Sequence, residues 1–381
     1  MPRVGIIGGS YAGLKALATV FNIGKTANLD VTLVAPSTHA YYNLASPRLI
    51  SEPSKFDNTI FSIRDIVKET SGDKGRFLHG HVTGVDFKKR ELSVNSVSGN
   101  ESKLAYDILV IASGTQAKWA GYKVNTNHEE ARKEIMATNR ELQEARSVAI
   151  VGGGVTGVET AGEIAAEFHR AKVTLYTGAS APLEGVASAL SEEATSKLER
   201  LGVEIVNNVF IDSVKHKTEG HADVSNIVLD NGETREYDVI LESFITGPYS
   251  AFLPSDVKDE QGYVITDADL LVKGQKGVIA LGDIVSGSSK SVVDLKFGQA
   301  EIFSATIEKL IEDVDKPGFF AEPGDANSED SRYSPVTHTM VIPISRYGGV
   351  GMSYWIPLPS VLVWWGKAKT YMIEKARTQF M

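Results

Sequence analysis

The sequence predicts an α/β protein with two Rossmann-like dinucleotide-binding domains and a C-terminal α+β segment. Three observations carry this. Short β-rich runs alternate with helical stretches, a strand–glycine turn–helix–strand unit occurs twice, and the two copies are well separated in the chain.

The first copy opens immediately. Val4–Ile7 reads as a buried strand, Ala12–Phe21 as a helix and Val31–Val34 as a second strand. The turn between them is Gly8-Gly9-Ser10-Tyr11-Ala12-Gly13, with Ser10 where the motif's middle glycine belongs. Serine is the smallest substitute, and its hydroxyl can donate to a phosphate. Phe77–Phe87 and Glu91–Val97 then read as strands with turn punctuation. Ile108–Ala112 reads as an apolar strand ending in Ser113-Gly114-Thr115, and Asn127–Arg146 as a charged, solvated connector helix.

The second copy has Val148–Val151 as strand, Val155–Phe168 as helix and Val173–Tyr176 as strand, with Gly152-x-Gly154-x-x-Gly157 at the turn. The three glycines allow, in order, a tight turn, backbone approach to a pyrophosphate, and close packing of helix on strand. The helix N-terminus then presents free N–H groups and partial positive charge to the phosphates. Both copies lack the acid expected at the end of the second strand, where ribose hydroxyls are held. Ala35-Pro36 stands there in the first and Tyr176-Thr177 in the second. Ser37 or Thr38 offers a hydroxyl to the first ribose. At the second site the missing carboxylate removes a charge that would repel a 2′-phosphate, so NADPH is as admissible as NADH, and no arginine stands at Thr177–Ala181 to select NADPH.

Tyr237-Asp238 through Thr246-Gly247 nearly repeats the run from Tyr106-Asp107 to Thr115, two residues longer before its Thr-Gly. Gly277 through Gly282-Asp283 reads as a strand ending in Gly-Asp, a place for a carboxylate that accepts hydrogen bonds from a ribityl chain. Gly318 to Ser334 reads as a surface linker. In the tail, Val361, Trp364, Trp365, Ala368 and Met372 fall at helical spacing, with Lys367, Lys369, Lys375 and Arg377 set against Glu374. That segment either walls an acceptor pocket or lies on a lipid surface. His79-x-His81 is the one close histidine pair, on one face of a strand and without a third ligand, so no metal is expected.

Composition narrows the chemistry. The 381 residues carry a formal charge of −9, with 42% hydrophobic and 23% charged residues, an ordinary balance for a globular chain. That acidity argues against nucleic acid as a partner. With no cysteine, the chain has no disulfide, thiolate nucleophile, Cys-ligated metal or dithiol redox pair. The apolar run after Met-Pro-Arg is too short for a secretory signal, Pro2 stands where myristoylation needs glycine, and no segment is long and apolar enough to span a bilayer. An intracellular protein, cytoplasmic or peripherally membrane-associated, is the expectation.

The order of glycine turn, small-residue strand end, second glycine turn and Gly-Asp resembles the two-dinucleotide-domain flavoprotein reductases. Tyr41-Tyr42-Asn43, the run Gly152–Glu163 and Arg346-Tyr347-Gly348-Gly349-Val350-Gly351 are most similar to the apoptosis-inducing-factor-like, mitochondrion-associated oxidoreductases that include the ferroptosis suppressor protein, fungal branch especially. Type II NADH:quinone dehydrogenases are more distantly similar. The resemblance implies FAD in residues 1–122 and 260–320, NAD(P)H in 123–259, and a segment 335–381 that lines the flavin or acceptor site or meets membrane. It places the FAD pyrophosphate at Gly8, Gly9, Ser10, Ala12 and Gly13, with Arg48 near the flavin phosphates or ring. Val82 matches the adenine contact, Ser113 and Gly114 the loop beside the flavin, and Asp283 the ribityl contact. Gln299 and Ala300 match the start of a helix facing the flavin pyrimidine edge, with Lys290 or Lys296 approaching. Gly152, Gly154 and Gly157 match the nicotinamide dinucleotide turn. Glu159 and Lys296 are the candidate catalytic residues, and Glu163 the next candidate.

The implied activity is hydride transfer from NADH or NADPH to FAD, then electrons to a quinone-like acceptor without a redox disulfide. The alternative is an FAD-dependent oxidase or dehydrogenase of one specialised small metabolite, its NAD(P) site secondary. A flavin-bearing signalling or nucleic-acid-binding protein is a remote third.

Overall fold

The computed structural model describes residues 1–23, 29–97, 99–217, 224–317, 319 and 333–380. Most of the expected linker, 318–334, lies outside the described residues.

Strands that alternate with helices must be buried on both faces, which explains their near-continuous aliphatic character. The first sheet has seven strands in the order Val278–Ala280, Ile108–Ile111, Arg3–Ile7, Asp30–Ala35, Gly75–Asp86, Glu91–Ser96 and Glu101–Ala105. The first five run parallel and the last two extend the sheet antiparallel. Ile7 pairs with both Val34 and Ile111, which brings the first glycine turn, Ala35 and Ala112 to one edge. Val278–Ala280 reaches this sheet only after the second glycine unit has been completed.

The second sheet is fully parallel, in the order Glu204–Val206, Lys172–Tyr176, Ser147–Val151 and Val239–Glu242. An antiparallel sheet of Ile211–Lys215, Ser225–Leu229 and Thr234–Tyr237 covers one side through a core that includes Val151, Tyr176, Ile227 and Tyr237. Between the two parallel sheets the chain crosses twice, and these crossings pair: Thr115–Ala117 runs antiparallel to Ile245–Pro248.

The connector helix spans His128–Glu144 and is not simply solvated. Ala131, Ile135 and Leu142 recur at helical spacing and are buried, and Asn139 Nδ2 donates to the Ile50 carbonyl at 2.8 Å. The helix's many charged residues occupy its other faces.

The C-terminal strands Met340–Pro343, Gly349–Ser353 and Ile356–Pro357 form a small antiparallel sheet. Its Ile342, Val350 and Met352 enter the core of the second sheet, whereas Tyr371, Ala376 and Phe380 enter that of the first. The tail therefore ties the two sheets together. Its expected amphipathic helix is not formed as one piece. Ser360–Val363 is α-helical, Trp364–Ala368 is a π-turn, and Tyr371 and Met372 are left-handed, with φ of 53° and 56°. The Ala368 and Lys369 carbonyls accept hydrogen bonds from Arg48 instead of continuing a helix ladder.

Candidate functional site

The two glycine turns are built alike. Gly8 has φ +122° and Gly152 φ +118°, a backbone region that glycine enters without strain. A Cβ on Gly13 would lie 1.9 Å from the Gly8 carbonyl oxygen, and one on Gly157 would lie 1.8 Å from that of Gly152. These glycines let each helix start against its own turn. The open positions differ: Ser10 is exposed at the start of Tyr11–Ile23, while a Cβ on Gly154 would meet no protein atom within 4 Å. Gly154 precedes a helix, Val155–Glu167, with no side-chain cap, so its first N–H groups are free for an anion.

The first turn fits a dinucleotide, and the structure explains the missing acid. A Cβ on Gly9 would come within 2.7 Å of the Ala35 Cβ and 2.5 Å of Ile63 Cδ1, so the space at this strand end is filled by apolar packing. The neighbouring hydroxyls are engaged as well. Ser37 Oγ donates to the His39 carbonyl at 2.9 Å, and Thr38 Oγ1 sits 2.9 Å from His39 Nδ1.

Around this turn, Gly114 has φ +70° and open space beside it, and Gly282 has φ +86° against Ala12. Asp283 stands partly exposed next to them. Lys123 Nζ donates to its Oδ2 at 2.6 Å, and Thr115 Oγ1 at 3.2 Å. Lys123 could not be picked out from the sequence, because nothing in its surroundings forms a motif. Ser113 Oγ donates to the Tyr249 carbonyl at 2.6 Å, and Val82 lies at a bulge in Gly75–Asp86.

Three expected flavin contacts have other partners here. Gln299 opens no helix: Val292–Asp294, Leu295–Gln299 and Ala300–Asp313 are one continuous helical run, capped at Ser291 by its hydroxyl accepting from Asp294 N–H. The Gln299 side chain is buried, accepting from Gly282 N–H at 2.7 Å and donating to Asp294 Oδ2 at 3.0 Å, so it braces the Gly282-Asp283 turn. Ala300 is consequently mid-run. Lys296 Nζ donates to Gln379 Oε1 at 2.5 Å, a contact to the tail, and Lys290 donates to the Val285 and Ser288 carbonyls. Burial pushes both amines below the usual lysine range.

Arg48 is the third. It is 1% exposed, and its guanidinium forms a two-pronged pair with Glu163: Nε to Oε2 at 2.7 Å and Nη2 to Oε1 at 2.8 Å. Nη2 also donates to the Ala368 carbonyl at 2.9 Å and Nη1 to that of Lys369 at 3.3 Å, and the group lies 5.1 Å over the Tyr371 ring. With its donors committed to protein, Arg48 has no fork left for a phosphate.

Glu163 belongs to a row. Glu159, Glu163 and Glu167 stand four residues apart along Val155–Glu167 and so share one face. Each meets a cation from another part of the chain. Lys367 Nζ lies 2.6 Å from Glu159 Oε1, Arg48 holds Glu163, and Arg346 Nε lies 2.6 Å from Glu167 Oε1 while also pairing with Glu52. Like charges four residues apart repel, and burial penalises each further, so these cations hold the face together. Burial pushes the Glu159 carboxyl up to about 7 even with Lys367 opposing it. The guanidinium of Arg48 is held above its ordinary value by Glu163. Lys367, one of the tail's basic residues in the sequence, is mostly buried and also donates to the Val341 carbonyl.

The chain matches the pyridine nucleotide-disulphide oxidoreductase family over residues 2–299. It belongs to that family. Oxidoreductase ptaL of Pestalotiopsis fici is 32% identical over 290 residues, 74% of this chain and 77% of that protein. Oxidoreductase phnG of Penicillium herquei is 26% identical over 97% of this chain and 93% of its own length, and ferroptosis suppressor protein 1 of Xenopus tropicalis is 26% identical over 74% and 73%. Among solved structures, NDH2 from Plasmodium falciparum in complex with NADH superposes with a TM-score of 0.67, covering 100% of this chain and 97% of that one at 14% identity. Membership makes the chain an NAD(P)H-dependent flavin oxidoreductase, with FAD and NADH or NADPH as cofactors. The disulphide of the family name has no counterpart in a chain without cysteine. Among the described residues no cluster suited to a metal ion occurs, and no helix is long and apolar enough to cross a membrane.

Proposed function

We propose that the protein passes reducing equivalents from NAD(P)H through FAD to a quinone-like acceptor, with no disulfide relay. FAD would be held at the turn Gly8–Gly13, with Asp283 toward its ribityl chain. When bound it supplies the hydride-accepting and electron-donating chemistry. The chain itself must orient the reactants, exclude water and deliver a proton. Reducing a quinone to a quinol takes two electrons and two protons, whereas a hydride brings two electrons and one proton. One proton per turnover must come from solvent by way of the protein.

The observation that carries this reading is the buried pair of Glu159 and Lys367. A carboxyl pushed to about 7 can hold and release a proton at Oε2 at ordinary pH, and the Lys367 ammonium 2.6 Å from Oε1 stabilises it once ionised. Relatives and neighbours that include a type II NADH:quinone oxidoreductase NdhA of Mycobacterium tuberculosis support the acceptor class.

A lipid surface is where hydrophobic quinones dissolve, and the tail supports contact with one. Tyr354, Trp355 and Ile356 at a strand turn, and Val361, Leu362 and Trp365 on the helix that follows, are all at least half exposed. Vesicle flotation of wild type against Trp355→Ala/Trp365→Ala tests this, and equal flotation of both removes it.

The electron path is tested anaerobically. NADH or NADPH should bleach the yellow absorbance of the flavin-loaded protein, and a quinone should restore it. Reduction by an organic substrate alone would favour the specialised-metabolite enzyme. A protein that carries no flavin would end both readings.

A further inference from the structure

The second site lacks an acid at its strand end, but the loop beyond the strand supplies one. Val151 pairs with Tyr176, so Thr177 stands level with Gly152, and a Cβ on Gly153 would touch Thr177 at 2.6 Å. Thr177 is buried, and its Oγ1 accepts from the Ala179 N–H at 3.1 Å, so this hydroxyl faces its own loop. The loop then folds back over the turn. Leu183, in the left-handed region with φ 59°, donates its N–H to the Gly153 carbonyl at 2.8 Å. That anchor places the next residue, Glu184, beside the turn. Its Oε1 accepts from Ser180 N–H at 3.2 Å and Ser180 Oγ at 2.9 Å, which fixes the carboxylate along the loop rim with both residues exposed. From Thr177 to Gly185, Glu184 is the sole charged side chain.

Phe210 lies against Gly178 of the same loop. Its ring is 64% exposed, and a Cβ on Gly178 would lie 2.7 Å from Phe210 Cε1, so the ring rests on the backbone next to the strand end. A dinucleotide whose pyrophosphate sits on the uncapped helix at Gly154 must extend its adenosine half over the end of the second strand. There it would meet an apolar ring for the base, and a carboxylate with a serine hydroxyl for the ribose.

We propose that Glu184, positioned by Ser180 and by the Leu183–Gly153 hydrogen bond, selects NADH over NADPH. The inference rests on the reading that the second turn receives the pyridine nucleotide. The carboxylate can accept from ribose hydroxyls, whereas a 2′-phosphate brings two negative charges to a rim with no cation in its loop to meet them.

Calorimetric titration of the flavin-loaded protein with NAD⁺ and with NADP⁺ tests this directly, alongside kcat/KM for NADH and NADPH. Wild type should favour the unphosphorylated nucleotide by at least about tenfold in both measurements. Glu184→Gln should narrow that ratio and Glu184→Arg should close or invert it. Glu192→Gln, exposed on the following helix, should leave the ratio unchanged. Phe210→Ala should weaken both nucleotides together and hold the ratio. Equal wild-type affinities, or a ratio unmoved by Glu184→Arg, would overturn the assignment while leaving the nucleotide site intact. Binding of neither nucleotide would instead remove the underlying reading.

Discussion

Glu159 and Glu163 lie one helical turn apart, on the same face and both buried, yet their partners differ. Glu163 meets a planar fork that satisfies both its oxygens, and that fork is in turn held by two tail carbonyls and an aromatic ring. Glu159 meets a single ammonium at one oxygen; burial raises the proton affinity of both carboxyls, that of Glu159 to about 7. The two-pronged pair is a lock, since it holds both oxygens of Glu163, with Glu52 a second carboxylate 3.5 Å from Arg48 Nη1. The one-pronged pair leaves a carboxyl able to change state. With burial raising both, partner geometry is what the proposed proton-handling role of Glu159 rests on.

The largest test of this contrast is Arg48→Met. It strands Glu163 in the interior and releases the Ala368 and Lys369 carbonyls, so urea denaturation should show a loss of about 3–5 kcal/mol. Arg48→Lys should recover only part of that, because an ammonium lacks the second prong. If Arg48→Met unfolds no earlier than wild type, the lock is not one.

Next in size is Glu159→Gln, a nearly isosteric change at the position proposed to handle the proton. Quinone reduction should fall about hundredfold, the lower range for losing a general acid–base group. In wild type the quinone-reducing rate should decline as pH rises through about 7 and the carboxyl loses its proton. The glutamine variant should lose that inflection, and an unchanged pH profile would take the role away from Glu159.

The same group makes a stability prediction with a definite sign. A carboxyl near 7 in the folded chain and near 4.5 when unfolded binds more proton in the folded state between those values. Its contribution is therefore fully present below about pH 4.5 and lost as pH rises through 7. The difference is on the order of 3 kcal/mol. Comparing wild type with Glu159→Gln in urea at pH 5.5 and 8 isolates it, and equal differences at the two pH values would contradict it.

These expectations also show which parts of the molecule could be read in the sequence. The glycine turns and the strand–helix alternation were legible because each depends on neighbours within a few residues. The ion pairs were not: Arg48 and Glu163 are 115 positions apart, and Glu159 and Lys367 are 208 apart. One local signal did exist, since three glutamates at four-residue spacing on a helix otherwise made of small and aliphatic residues require cations from elsewhere. The misplaced helix start at Gln299 had a signal too, the Ser291 cap with Asp294 three residues on. The tail's helical spacing misled because Arg48 draws Ala368 and Lys369 carbonyls out of any ladder, and that arginine lies at the other end of the chain.

The third glutamate completes the comparison at its exposed end. Glu167 is paired with Arg346, whose side chain is 33% exposed although the Nε facing Glu167 is itself buried, and water reaches the rest of this pair as it does not reach the interior. Arg346→Ala removes the pairs with both Glu167 and Glu52, as Arg48→Met removes a pair one turn deeper, yet it should destabilise by about 1 kcal/mol or less. High salt should erase most of that small difference while leaving the Arg48→Met loss nearly intact, because screening reaches the rim and not the buried fork. A loss at Arg346 as large and as salt-insensitive as that at Arg48 would mean that the row acts as one network, and that depth along the helix does not grade its rungs.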